Sequence, residues 1–171
     1  MFMEKGLYMK KFDYSLVKNP EYFKDGRMDA HSDHISYADQ EEASAGETSY
    51  RHCLNGIWKF HYARNYGNTI KGFEKEDYSC KDWDDIRVPA HIQMEGYDAP
   101  QYANVQYPWE GHEDIHPGEI PEHFNPVASY VKYFTVPEQM KGKRLFISFQ
   151  GAESGIALWL NGQFVGYSED S

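Results

Sequence analysis

Apolar and polar residues alternate in several short runs, and those runs set the first expectations. Trp58, Phe60 and Tyr62 alternate with Lys59 and His61, the period of a half-buried strand, and Asn55-Gly56 before them signals a turn. Ile86-Arg87-Val88 predicts a short strand stopped by Pro89. Tyr130 to Val136 predicts another, with Val131 and Tyr133 on one face and Tyr130, Lys132 and Phe134 on the other. Leu145, Ile147 and Phe149 predict the next, and Ile156, Leu158 and Leu160 one more. Asn161-Gly162 then folds the chain back into Gln163 to Ser168, because both residues tolerate the positive φ of a type I′ hairpin turn. Helical signals are few. Asn19 to Phe23 reads as a turn entering a short helical piece, and Tyr37 to Ala45 as a short helix that Gly46 ends.

Two stretches have no period. Asn68 to Asp85 is polar and predicts a connecting loop. From Pro89 to about Ala128 the chain carries six prolines, which cannot sit inside regular elements. So long an aperiodic segment in a compact domain is functional or disordered, and its aromatic residues argue against disorder. Aromatic faces and side-chain amides are what a sugar site needs: flat apolar surface for the C–H face of the ring, and fixed donors and acceptors for hydroxyls. Short strands, few helices and one long loop predict an all-β fold, an antiparallel β-sandwich over residues 19–171, with 1–18 as a flexible N-terminal lead-in.

The 171 residues suffice for one domain with a real core. A formal charge of -10 disfavours nucleic acid and anionic membranes as partners. No apolar run is long enough to span a bilayer, and the first residues lack the apolar stretch of a signal peptide, so a cytoplasmic location is expected. The two cysteines, Cys53 and Cys80, form no disulfide framework and are expected as reduced thiols.

Other motifs are weighed against plainer readings. His112-Glu113-Asp114-Ile115-His116 spells H-E-x-x-H, which binds zinc only on a helix. Gly111 before it and Pro117-Gly118 after it oppose a helix, so the stretch reads as polar loop. His31 and His34, flanked by Asp29 and Asp33, read as solvated loop residues rather than a cation site. Gly151-Ala152-Glu153-Ser154-Gly155 places its serine one position too late for a nucleophile elbow and reads as a turn. Trp58 and Trp159 lie in strands and are expected in the core. Trp109, in the loop, is the better sugar-facing candidate.

The run from Val88 through Gly96-Tyr97-Asp98-Ala99-Pro100 and Asn104-Val105-Gln106-Tyr107-Pro108 to Trp109 resembles a signature loop in the N-terminal domain of family 2 glycoside hydrolases, especially the bacterial β-galactosidases. Asn55-Gly56-Ile57-Trp58-Lys59-Phe60, Phe149-Gln150-Gly151-Ala152-Glu153-Ser154 and the run from Trp159 to Ser171 agree in order and spacing. The resemblance covers roughly Asn19 to Ser171 and implies a jelly roll of the galactose-binding type.

It also implies a retaining hydrolase of terminal β-D-galactose, as in lactose, whose two catalytic glutamates lie in a barrel beyond this chain. No catalytic residue is assigned here, and the chain alone is expected to be inactive. By the same resemblance Asn104 reaches the galactose pocket. Asp170 binds the galactosyl end and a sodium ion, roles that suit a hard carboxylate oxygen. Magnesium is expected for the full-length enzyme. Partners implied are a β-galactoside or galactose, the remaining domains of the same polypeptide, and further copies in a homo-oligomer. Ala103 stands where the family commonly has a hydroxyl residue, which puts one local contact in doubt. The chain reads as a fragment whose unpaired sheet edge favours self-association. Two alternatives stay open: a stand-alone carbohydrate-binding module, and a family 2 hydrolase of other specificity, such as a β-glucuronidase or β-mannosidase.

Overall fold

The structure is a computed structural model and describes residues 11–100, 104, 105, 107 and 109–169. The chain divides into two compact units, one continuous over Asn55–Tyr133, the other drawn from Met1–Leu54 and Phe134–Ser171.

The continuous unit is built on β2 (Gly56–Ala63), which pairs antiparallel with β3 (Asp84–Val88) on one side and β4 (Val127–Val131) on the other. Phe60 is fully buried, and Ile86, opposite Trp58 on β3, is 2% exposed. Tyr130 sits opposite Phe60 in the ladder, ring centroids 5.0 Å apart. That pairing places the strand at Val127–Val131, earlier than the expected Tyr130 to Val136, because β2 supplies partners only from Lys59 to Ala63. The other face of β2 is covered as well. Trp83 packs on His61, Phe73 and Tyr78 and donates its indole N–H to the Tyr78 hydroxyl at 3.1 Å. The stretch expected as plain connection therefore contributes Cys80 and Trp83 to the core.

The second unit holds the sheet β1 (Lys24–Asp25), β6 (Gln163–Glu169) and β5 (Gly155–Leu160), in that spatial order and antiparallel throughout. Asn161 (φ 48) and Gly162 (φ 74) make the two-residue hairpin that the sequence predicts. Leu158 faces Gly166 and Trp159 faces Phe164, so β6 bulges by one residue at Val165. Phe12 packs against Trp159, Phe164 and Tyr167, and Tyr22 stacks on Tyr167 at 5.4 Å. Tyr14–Lys18 forms a 3-10 turn capped by the Asp13 carboxylate, so the 1–18 segment carries structure from Phe12 onward.

Asn19 does start a turn, but the chain leaves it as β1, not as a helical piece. α1 (Gln40–Ala45) forms as expected: Asp39 caps its first amides and Gly46 (φ 73) ends it. Leu145 to Phe149 joins no ladder among the described residues, although alternation predicts a strand there. Alternation specifies an extended conformation; it does not supply a partner. The all-β class holds, with antiparallel sheets and few short helices. Among the described residues no helix is long and apolar enough to cross a membrane.

Candidate functional site

The long proline-rich loop leaves β3 at Val88 and returns to the sheet at Val127, and it is held at two places. The first hold is Tyr97. Its backbone N–H donates to the Ile92 carbonyl at 3.1 Å after a 3-10 turn at Ile92–Met94. Its ring lies 4.4 Å from that of Phe60 and 6.5 Å from that of Tyr62. Burial, with the hydrogen-bonded Asp84 carboxylate beside it, raises the Tyr97 phenol above its ordinary pKa. Asp98 follows with φ 59, a left-handed conformation.

The second hold is Glu113. Its carboxylate accepts the backbone N–H groups of Glu122 (2.9 and 3.0 Å), His123 (2.8 Å) and Phe124 (3.3 Å). Those donors, Glu122 first, keep its carboxyl below the usual carboxylate range. His112 stacks on Phe124 at 4.0 Å. Asn65 donates to the His123 carbonyl at 3.3 Å, and Asn125 donates to the Arg64 carbonyl at 3.0 Å, which ties the knot to the end of β2. Residues 113–116 are not helical, so the zinc-type geometry does not arise, and the glutamate of H-E-x-x-H serves as a backbone clasp. Among the described residues no group of three or more His, Cys, Asp or Glu could hold a metal ion. His31 meets the Asp29 carbonyl at 2.8 Å, an ordinary loop contact.

Between the two holds most of the described residues are exposed. Asn104 and Val105 lie in a bend, both exposed, Val105 at 84%. Tyr107 is 63% exposed and stacks parallel on Trp109, centroids 5.0 Å apart and planes within 4°. The turn beneath them is closed by Glu110 N–H to the Tyr107 carbonyl (3.0 Å) and His112 N–H to the Trp109 carbonyl (2.9 Å). The Glu110 carboxylate in turn accepts the Tyr107 N–H at 3.2 Å. Trp109, the sugar-facing candidate by sequence, is half-buried, and Tyr107 carries the more open ring. Sequence reading passed over Tyr107. Its signal was present, an aromatic two places before Trp109 in a loop, but nothing in the pattern says which of the two rings lies outermost.

Asp170 lies outside the described residues, and the two units hold the candidates separately. The residues leading to Asp170 are well fixed within their unit. Arg27 donates to the Ser168 hydroxyl at 2.7 Å and to the Glu169 carbonyl at 3.3 Å, and the Glu169 N–H donates to the Phe23 carbonyl at 2.8 Å. The Tyr167 hydroxyl donates to the Glu169 carboxylate. Burial, then that carboxylate, pushes the Tyr167 phenol far above its ordinary range.

A family model described as glycosyl hydrolases family 2, sugar binding domain, matches residues 51–171. The chain is 54% identical over 158 residues to a beta-galactosidase of Halalkalibacterium halodurans, covering 92% of this chain and 16% of that protein. It is 46% identical over 155 residues to a beta-galactosidase of Streptococcus thermophilus, covering 91% of this chain and 15% of that one. A beta-galactosidase large subunit of Latilactobacillus sakei is 38% identical over 167 residues, which cover 91% of this chain and 27% of the subunit. The chain thus spans about a sixth of the length of the first two.

Proposed function

Because the chain belongs to glycoside hydrolase family 2, matching the N-terminal sugar-binding domain of β-galactosidases, we propose that it forms one wall of a galactoside pocket whose catalytic carboxylates lie in other domains. The observation that carries this reading is the loop held at Tyr97 and Glu113, with Asn104 and the Tyr107 ring exposed between those holds. An amide can donate to one sugar hydroxyl and accept from another, and a clasped loop loses little freedom when it does so.

In the assembled enzyme the reaction would be the retaining hydrolysis of a terminal β-D-galactoside such as lactose. Asn104 would orient the galactosyl ring. Asp170 would receive its hydroxyls and supply one hard oxygen to sodium. The remaining sodium ligands, and any magnesium, would come from outside the described residues. The full fold would be a galactose-binding type of jelly roll in a cytoplasmic homo-oligomer.

The test is a graft. This chain replaces the matching segment of the Halalkalibacterium halodurans β-galactosidase, and the product is assayed on β-galactoside and β-glucuronide substrates. Galactoside turnover is expected. Asn104→Ala in the graft should lower kcat/KM by about tenfold, the loss of roughly one well-placed hydrogen bond. A graft that is folded but inactive on galactosides, or one that prefers glucuronides, would overturn the reading.

A further inference from the structure

Tyr107 and Trp109 form a parallel pair in the long loop. Tyr107 exposes most of its surface, and Trp109 lies flat behind it. A ring backed in this way is already oriented, so a flat apolar ligand face can settle on it with little further loss of rotamer freedom. The backing is itself fixed. The Trp109 carbonyl accepts from the backbone N–H groups of His112 (2.9 Å) and Glu113 (3.2 Å), and the Glu113 carboxylate is the clasp that ties the loop to residues 122–124. The C–H face of a pyranose is a flat apolar surface of the right kind. The family model that spans this pair is that of a sugar binding domain.

Charge narrows the ligand further. From Tyr107 to Phe124 the chain carries five carboxylates, Glu110, Glu113, Asp114, Glu119 and Glu122, and no lysine or arginine. Glu110 folds directly onto the Tyr107 backbone. Arg64 is the cation at the far end of this stretch, over the Phe124 ring, whereas the charge held against Tyr107 itself is the Glu110 carboxylate, which disfavours an anionic sugar there and leaves a neutral one unaffected.

We propose that Tyr107, backed by Trp109, is a stacking platform for a neutral pyranose ring, the sugar joined to galactose in the substrate or a neutral sugar accepting it. This deepens the sugar-binding reading and rests on it. Asn104 and the platform then divide the work, with the amide addressing hydroxyls and the ring addressing the apolar face.

Saturation-transfer NMR on this chain tests the platform without any catalytic domain. Lactose should receive saturation from the protein. Tyr107→Ala should weaken that transfer by about fivefold, and Tyr107→Phe, which keeps the face and loses only the hydroxyl, should retain it. In low salt, glucuronate should receive clearly less than glucose, and 1 M sodium chloride should narrow the gap, since exposed charges are screened within roughly 3 Å at that strength. Absent transfer to lactose, or equal transfer in Tyr107→Ala, would overturn the platform. Equal transfer to glucose and glucuronate in low salt would overturn its preference for neutral sugars. The graft assay reports separately on the β-galactosidase reading. An active graft with no transfer rejects only the platform, whereas an inactive graft with transfer leaves a sugar-binding surface and rejects the enzyme.

Discussion

At the scale of single residues the chemistry turns on which groups are free to act and which are already engaged. Glu113 is engaged: its oxygens are taken by three backbone amides, so a residue that spells part of a metal motif holds a loop shut. Its carboxyl titrates below the ordinary value of 4.5 in the folded chain. The clasp is therefore complete above 4.5 and is lost as pH falls through the lower, folded value. Amide hydrogen exchange at Glu122, His123 and Phe124, corrected for intrinsic rates, should stay slow at neutral pH and quicken in that acid range. Glu113→Ala should show fast exchange at every pH, and unchanged protection in that variant would remove the clasp. None of this was legible in the sequence. Flanking Gly111, Pro117 and Gly118 ruled out the helix, but which amides the carboxylate reaches depends on a fold-back over nine residues. Asn104 was singled out only by resemblance, since a loop amide has no pattern of its own.

At the scale of elements the sequence spoke clearly wherever side-chain period and turn chemistry agreed. β2, β3, β5, β6 and α1 fall where alternation, Pro89, Asn161-Gly162 and Gly46 place them. β4 slid toward the N-terminus because register is set by the partner strand, and the apolar run from Tyr130 onward does not reveal that partner. Trp83 and Tyr97 were hidden for a related reason: each leaves an irregular stretch to cover one face of β2. Phe60, fully buried between Tyr97 and Tyr130, joins that loop to the sheet. Phe60→Ala should cost about 3–5 kcal/mol in urea unfolding and loosen the loop at Tyr97. A cost within 1 kcal/mol would mean that this core is not as packed as described. Gly26 is the corresponding point in the other sheet. It has φ 67, and a Cβ there would come within 2.4 Å of the Val165 carbonyl oxygen, a backbone atom with little room to yield. Gly26→Ala should destabilise by about 1–3 kcal/mol.

At the scale of the whole molecule the question is what the chain can do by itself. Retaining hydrolysis needs two carboxylates roughly 5–5.5 Å apart, across the scissile bond. Several carboxylates described here are already occupied: Glu113 by amides, Glu169 by Tyr167, Asp85 by Lys59 and Glu95 by Arg87. The isolated chain should release no chromophore from a nitrophenyl galactoside above a buffer blank. Turnover that persists after trace host enzyme is removed would show that the chain carries its own chemistry.

The nesting of one continuous unit inside a discontinuous one has a consequence for how the chain is made. A ribosome delivers all of Asn55–Tyr133 before it delivers Gln163–Glu169. The β2 sheet can close as soon as β4 emerges, whereas Lys24 must wait for Ser168, and Arg27 for a hydroxyl 141 positions later. Pairings closer in sequence close faster than distant ones, so the Asn55–Tyr133 unit is expected to form first and the pairing of β1 with β6 last.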